Sequence, residues 1–377
     1  MNKGTIITAI LGVATHAHAE IKLGDMGSVG FGLETTIRST SNVILDETQQ
    51  DDTIYSFMPK AVFRSDQGAA SIEAYAGLNI IRYHNLNNND SENIKSGITI
   101  LFPDEPQGEN YSLKLNAAYN QNTNANSALL SVIETENIAL SATGNYFISE
   151  YVSLRSGLSY LENTSQTAGF ADTSTLTWPI AMFYKYDEAL SLGTGYRYRR
   201  SEVSNVTPVA SSDDHAFYIG VEDLISPLLQ YELQWGYQYR DFDNDQSFEN
   251  LGGVYAEAIL SWYATQRSIF MFNVGNEFGT SAANQSSETF STSIQWMHKF
   301  DERLSTTLGA EYQDIAYKQI IGTRNDEDYS AFLNAEYKVL DDNMILRARL
   351  RYADHSSSLD AANYDVIEAS ISCFLLF

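Results

Sequence analysis

The sequence predicts an all-β fold: a transmembrane antiparallel up-and-down β-barrel of about 18 strands, with no plug domain. Three observations indicate this fold. Apolar and polar residues alternate at period 2 along most of the chain, tight turns alternate with longer polar loops, and the chain ends on an aromatic residue, Phe377. Few apolar residues follow the i, i+3, i+4, i+7 spacing of a helix, so strands explain the pattern best.

The first residues have the order of a secretory signal. Lys3 precedes an apolar run from Thr5 to Ala14, and Ala17-His18-Ala19 follows before Glu20. A basic, then apolar, then small-residue order predicts cleavage after Ala19. We therefore expect residues 1–19 to be a signal peptide and residues 20–377 to form a single outer-membrane barrel domain. The alternative is a short buried N-terminal helix, which the pattern disfavours because the run is too short to span a bilayer and ends in small residues.

The strands follow from the alternation. Leu233, Trp235 and Tyr237 alternate with Glu232, Gln234 and Gly236, and successive strand side chains point to opposite faces. Each segment therefore has one apolar and one polar face. Most segments have about 10 to 15 residues, enough for the tilted strands that cross a bilayer. The expected strand centres are Phe31, Phe57, Ala74, Gly97, Leu115, Ala142, Ser156, Met182, Thr194, Ile219, Leu233, Ala258, Phe272, Ile294, Leu308, Leu333, Ala348 and Ile371.

The connections are of two kinds. The tight turns are Ser149-Glu150, Asp187-Glu188, Ser226-Pro227, Thr265-Gln266, Asp301-Glu302 and Asp341-Asp342. The longer polar loops are 85–92, 121–128, 162–173, 201–214, 241–249 and 354–362. An even number of strands places both termini on one side. Pro59 and Pro179 fall inside strands, where we expect bulges because proline cannot donate a ladder hydrogen bond.

Aromatic residues recur near the strand ends of the apolar faces, as the two interfacial girdles of a membrane barrel do. They are Tyr111, Tyr119, Tyr146, Tyr160, Trp178, Tyr184, Tyr198, Tyr239, Trp262, Trp296, Tyr312, Tyr337 and Tyr352. The last segment ends on Phe377, which is similar to the terminal signal read by the barrel assembly machinery. The expected location is the outer membrane of a Gram-negative cell, with that machinery, outer-membrane lipid and lipopolysaccharide as partners. A β-propeller is the alternative architecture, but no blade signature recurs.

Composition and charge exclude other classes. The 377 residues carry a formal net charge of -25, which would repel a nucleic-acid backbone. The single Cys373 cannot form an internal disulfide. Asp241, Asp243 and Asp245 have the opening spacing of a calcium loop, but the required glycine and glutamate are missing, so we predict no metal site. We also predict no cofactor.

The acidic residues are expected mainly in loops, as solvated charge or as partners of divalent cations at lipid headgroups. They are Asp46, Glu47, Asp51, Asp52, Asp90, Glu92, Asp213, Asp214, Asp241, Asp243, Asp245, Asp326, Glu327 and Asp328. No catalytic residues are predicted and the chain is expected not to be an enzyme. A hydrolase at the outer rim, using His215 with Asp213 and Asp214, stays open as an alternative.

One segment resembles a known family. Between Thr36 and Phe102 the order is Ser41-Asn42-Val43, Asp51-Asp52, Pro59, Arg82-Tyr83, then Asn88, Asn89 and Asp90. This order is similar to that of the β-barrel porin family whose members are often associated with exopolysaccharide synthesis and secretion. Ser41 stands where family members have Asp. The resemblance implies an outer-membrane barrel that lets a secreted polysaccharide through, with a periplasmic export protein as its partner.

The polar faces supply candidate pore-lining residues. A barrel of 16 to 18 strands leaves an aqueous lumen. The candidates are Arg155, Arg197, Arg199, Arg347, Arg349, Arg351, Glu73, Glu232, Glu311 and Glu336. The three arginines of one strand are spaced about 6.6 Å apart and form a ladder that could attract an anionic polymer. Alternatively, they pair with lumen carboxylates and only hold the shape of the wall.

The function expected from these observations is a passive outer-membrane pore, open or narrowed by loops, for export of an exopolysaccharide. A general or sugar-specific diffusion porin for uptake is the first alternative, and the rim hydrolase is the second.

Overall fold

The computed structural model describes residues 21–66, 69–103, 110–126, 131–167, 170–187, 189–205, 211–243, 249–281, 285–318, 323–340 and 343–377. The signal segment 1–19, Glu188, Asp245 and Asp341-Asp342 lie outside these ranges, so the expectations for them stay expectations.

Nineteen strands form one antiparallel sheet, and eighteen of them close into a barrel. Their bounds are β1 Ile21–Lys22, β2 Ser28–Thr40, β3 Asp52–Ser65, β4 Ser71–Tyr83, β5 Ser91–Phe102, β6 Tyr111–Asn126, β7 Ser131–Phe147, β8 Val152–Ser165, β9 Asp172–Asp187, β10 Leu190–Ser204, β11 Ser212–Ser226, β12 Leu229–Phe242, β13 Leu251–Thr265, β14 Ser268–Ser281, β15 Gln285–Lys299, β16 Leu304–Lys318, β17 Thr323–Leu340, β18 Met344–Ser357 and β19 Tyr364–Leu376. Each strand pairs with its sequence neighbours, and β19 pairs with β2 to close the ring.

The ring closes at the end of the chain. Phe31 and Phe377 exchange backbone hydrogen bonds of 3.1 and 2.7 Å. The two-residue β1 lies outside the ring and pairs only with the start of β2, through Ile21 and Val29. The only helices in the described part of the chain are three short 3₁₀ turns, and none is long and apolar enough to cross a membrane. The expected barrel is confirmed.

All eighteen expected centres fall in eighteen separate strands. The strands run from 12 residues in β5 to 18 in β17, so several continue into segments that the sequence assigned to loops. The loop positions expected for eight of the acidic residues are therefore wrong. These residues are Asp52 in β3, Glu92 in β5, Asp213 and Asp214 in β11, Asp241 in β12, and Asp326, Glu327 and Asp328 in β17. Hydrogen bonding between neighbouring strands outweighs the weak strand propensity of acidic residues there.

The expected bulges at the two prolines are also wrong. On either side of Pro59, Phe57 pairs with Ile80 and Lys60 with Gly77, which is the same register. Around Pro179, Ser156 pairs with Ile180 and Ser159 with Thr177, again without a shift. Each interrupted ladder simply resumes beyond the proline. The register shifts lie instead near the tight turns, for example between Leu224 and Ser226.

The two ends of the barrel differ. Ile21, Phe377 and the short turns that the structure describes lie at one end, which is the periplasmic end in bacterial outer-membrane barrels. The opposite end carries the longer connections, for example 41–51 and 358–363. We call this the loop end.

The two faces of the wall also differ. The outward face exposes large apolar side chains, among them Ile371 at 66%, Trp235 at 64% and Phe217 at 62%. All thirteen aromatic residues expected in the girdles alternate onto this face by strand register. Polar and charged residues occupy the alternate positions and face the lumen.

Candidate functional site: the lumen and its narrow outer end

The candidate pore-lining residues all fall on the inward face. Strand register pairs Arg349 with Asn334 and Arg347 with Glu336 on one side of the lumen, and Arg197 with Pro179 on the other. The other candidates share this face: Arg155, Arg199, Arg351, Glu73, Glu232 and Glu311. The strand register places these residues on the lumen face, and their role in selecting solutes stays a prediction.

The arginine ladder of β18 is partly neutralised. Arg347 donates to Glu336 at 2.8 Å, and Arg351 lies 3.3 Å from Glu368, which also contacts Arg38 at 3.4 Å. Arg349 instead lies over the ring of Phe332, 5.7 Å from its centroid. Several of these groups are exposed to the lumen, where ion pairs are worth about 1 kcal/mol or less. The ladder therefore holds its shape while leaving guanidinium groups available to solutes.

Arg155 lies near the periplasmic end. Its guanidinium contacts both carboxylate oxygens of Glu222, one of them at 2.6 Å, and stacks 4.5 Å from the ring centroid of Phe183. These groups, with Lys185 and Glu232, line an open cavity of about 370 Å³. This end of the lumen is polar and accessible.

Most of the buried inward residues of the described chain lie at the loop end, so the inner wall is more covered by protein there. Examples are Arg240, Gln238 and Ser286, each at most 1% exposed, and Asp326 and Val366 on the other side of the barrel. The hairpin of β14 and β15 contributes to this covering. β13 pairs with β14 only up to the pair of Ala256 with Asn276, so the described part of the hairpin beyond Asn276 makes no ladder hydrogen bonds to β13.

This free end, residues 277–281 and 285–288, is called the hairpin tip. It lies against the inward face of the wall. At Gly253 of β13, a Cβ atom would stand 3.1 Å from Oε1 of Glu288 and 3.8 Å from the ring of Phe278. Phe278 is 1% exposed. The tip thus covers the inner wall of β10 to β13 instead of extending the barrel.

Arg240 of β12 anchors the tip. Its Nη1 donates to the carbonyl oxygen of Gly279 at 2.7 Å and to Oγ of Ser286 at 2.6 Å, so it holds both strands of the hairpin. Its Nε and Nη2 donate to the two oxygens of Asp214 at 2.6 and 2.8 Å. The side chain of Arg240 is fully buried. A buried arginine is stable here because carboxylate and carbonyl oxygens accept its protons.

Two arginines of β10 complete the contact. Arg199 donates from Nε to Asp214 at 2.8 Å and from Nη2 to the carbonyl of Phe278. Oε2 of Glu277 lies 3.4 Å from Nη1 of Arg199 and 3.4 Å from Nη1 of Arg197. Arg197 also stacks over Tyr255, 4.7 Å from the ring centroid. The sequence pattern predicted Arg197 and Arg199 as pore-lining residues but did not predict a role for Arg240 or Glu277. Their contacts join residues about 40 to 80 positions apart in the sequence.

The opposite side of the loop end holds a second charged cluster. β17 and β18 continue beyond Tyr329 and Tyr352, the outer aromatic girdle, and their ends bring His355 between two carboxylates. His355 Nδ1 lies 2.6 Å from Asp328, and Nε2 lies 3.5 Å from Asp326. Burial alone would lower the pKa of His355, but these two carboxylates raise it to about 9.

The proposed catalytic arrangement at the rim is not formed. His215 faces outward and shares a hydrogen bond of 2.8 Å with the hydroxyl of Tyr196, whereas its neighbour Asp214 faces inward to Arg240. Adjacent residues of a strand point to opposite faces, so these two side chains cannot act together. Asp213 accepts a hydrogen bond from Tyr198.

In the calcium-like segment, Arg200 pairs with Asp243 and lowers the pKa of that carboxyl. Among the described residues, no group of acidic, His or Cys side chains could hold a metal ion.

A closed ring of eighteen strands with an apolar outside, aromatic girdles and a charged lumen defines an outer-membrane channel barrel. Residues 190–373 match the family described as "Putative beta-barrel porin 2". This match covers just under half of the chain, so the second half is similar to this porin family, and the protein is located in the outer membrane. The match lies in the second half of the chain, and not in the segment 36–102 that carried the sequence resemblance.

Solved structures show the same fold. OpdQ from Pseudomonas aeruginosa is 10% identical, with a TM-score of 0.52 over 94% of this chain and 99% of that one. OpdK from Pseudomonas aeruginosa, crystallised with vanillate, is 10% identical, with a TM-score of 0.50 over 93% and 99%. OccK2 (OpdF) from the same organism has a TM-score of 0.50 and 10% identity over 93% and 98%. No curated protein sequence matches the chain.

Proposed function

We propose that this porin is a passive uptake channel for small polar solutes. The observation that carries the proposal is the hairpin tip, which covers part of the inner wall at the loop end and is anchored by the buried Arg240. A solute arriving from outside meets this partly covered, charged region before it reaches the open cavity beside Arg155 at the periplasmic end. This geometry favours small molecules over a long polymer.

The comparisons support uptake more than export. OpdK, which has a similar barrel, was crystallised with vanillate, a small molecule. Nothing in the comparisons supports the expected passage of an exopolysaccharide. The rim hydrolase has less support, because Asp214 lies on the opposite face of β11 from His215, while Asp213 and His215 bond to Tyr198 and Tyr196.

Planar-bilayer conductance and liposome swelling test the proposal together. Purified protein should give single-channel currents, and liposomes should swell in small sugars or amino acids but not in oligosaccharides of increasing length. A silent protein would contradict the channel. Rapid swelling in long oligosaccharides would contradict the small-solute limit and favour a polymer conduit.

A further inference from the structure

The carboxylate of Glu277 lies where the carboxylate of a bound solute would lie. Its carboxylate projects from the hairpin tip between Arg197 and Arg199, and one oxygen lies 3.4 Å from each guanidinium. The two arginine side chains are 17% and 12% exposed, whereas the Glu277 side chain is 52% exposed. The cationic site is therefore built into the wall, and the carboxylate reaches it from the lumen.

The two sides of this contact are held very differently. Arg199 is fixed by Asp214, and Arg197 is fixed by stacking over Tyr255. The backbone of the tip is held at the carbonyls of Phe278 and Gly279. Glu277 contributes only contacts near the upper limit of hydrogen-bond length, which are weak in water. Its side chain can leave by rotation while the tip stays in place.

We propose that Arg197 and Arg199 form a binding site for a carboxylate-bearing solute, and that Glu277 occupies this site when no solute is present. The solute carboxylate takes the place of the Glu277 carboxylate during passage. The site then returns to its resting state when Glu277 swings back. This inference rests on the proposed channel function and adds the class of solute.

The arrangement has a physical advantage for a passive channel. Without Glu277, the guanidinium groups of Arg197 and Arg199 would bind an anion more tightly and release it more slowly. A built-in carboxylate competes with the solute, so binding is weakened and exit is faster. Because an exposed ion pair is worth little, this competition weakens binding by about fivefold.

The test uses glutarate, whose terminal carboxylate copies that of a glutamate side chain. Calorimetry on purified full-length barrel in detergent measures binding, and bilayer recordings measure block of the current. Glu277→Gln should tighten glutarate binding by about fivefold, and Arg197→Gln should abolish it. Glu311→Gln is the matched control, since it also removes one exposed lumen carboxylate but on β16, away from the tip.

The outcomes separate the two proposals. Equal effects of Glu277→Gln and Glu311→Gln would show a general lumen charge effect and overturn the anion site. Unchanged binding in Arg197→Gln would overturn it as well. A barrel that binds glutarate as expected but gives no current would overturn the channel function while leaving the site intact. Chloride selectivity in bilayers should rise in Glu277→Gln and not in the control.

Discussion

Replacing Arg240 with Met should release the hairpin tip from the inner wall. Met keeps a long apolar stem between Phe242 and Phe278 but removes every hydrogen bond of the guanidinium. The two hydrogen bonds to the tip, at Gly279 and Ser286, are lost at once. Asp214 keeps a partner because Arg199 still donates to it.

The size of the effect follows from these contacts. A hydrogen bond from a charged donor contributes about 1.5–3 kcal/mol, so two contribute roughly 3 to 6. Part of this stabilisation is already offset in the wild type, since Oγ of Ser212 and Oγ1 of Thr280 are buried with no hydrogen-bond partner among the described residues. Both hydroxyls regain water when the tip leaves. A net change of ~3 kcal/mol shifts the equilibrium between the held and released tip about a hundredfold.

A cysteine at Ser287 reports the released state, because that residue is only 6% exposed in the held position. In a Cys373→Ser background, Ser287→Cys should react with a water-soluble thiol reagent about a hundredfold faster once Arg240→Met is added. Arg324→Met is the control, since Arg324 is also a buried rim arginine, with its side chain 7% exposed, and it lies outside the hairpin contact. An unchanged rate with Arg240→Met, or an equal rise with Arg324→Met, would refute the anchoring role.

Three further outcomes are expected. The folded-state pKa of His355 is raised to about 9 from 6.5, so its charge stabilises the fold fully below pH 6.5, and about 3 kcal/mol of stability is lost between pH 6.5 and 9. His355→Gln should therefore flatten the pH dependence of stability measured by urea unfolding. An unchanged pH dependence in this variant would contradict the role of His355. Ile294→Arg places a charge on the lipid face and should reduce the free energy of folding into lipid vesicles by about 2–4 kcal/mol. Ser293→Arg, on the lumen face, should reduce it little. Equal reductions would show that the two faces are misassigned. If Phe377 is the assembly signal that we propose, Phe377→Ala should reduce the amount of folded barrel in outer-membrane fractions several-fold. Refolding of the purified variant into detergent should be retained. Normal amounts in the membrane would contradict the role of Phe377 in assembly.

The strands could be predicted because their signal is local. Alternation at period 2 reports which side chains share a face, and no knowledge of distant residues is needed. For that reason all eighteen centres and the inward positions of Arg197 and Arg347 followed directly from the sequence. Strand ends were less well predicted, because acidic residues such as Asp214 and Asp326 read as loop residues although their neighbours keep the ladder intact.

The hairpin tip could not be predicted from the alternation. Its position depends on Arg240 donating to a backbone carbonyl 39 residues away, and a carbonyl has no signature in the sequence. The only local sign is weak: Asn276 interrupts the outward apolar row of β14 between Val274 and Phe278. Glu277 likewise looks like an ordinary polar position until the fold brings it to Arg197 and Arg199.

The contact between Phe31 and Phe377 has a consequence for how the protein is made. The first strand of the ring has a partner on one side only until β19 has been synthesised, because β2 must pair with β19. An unpaired strand edge is prone to join other chains. A contact between residues so distant in sequence also forms slowly. The chain therefore has to cross the periplasm with its ring open, and protection of that free edge during transit becomes a requirement of the topology itself.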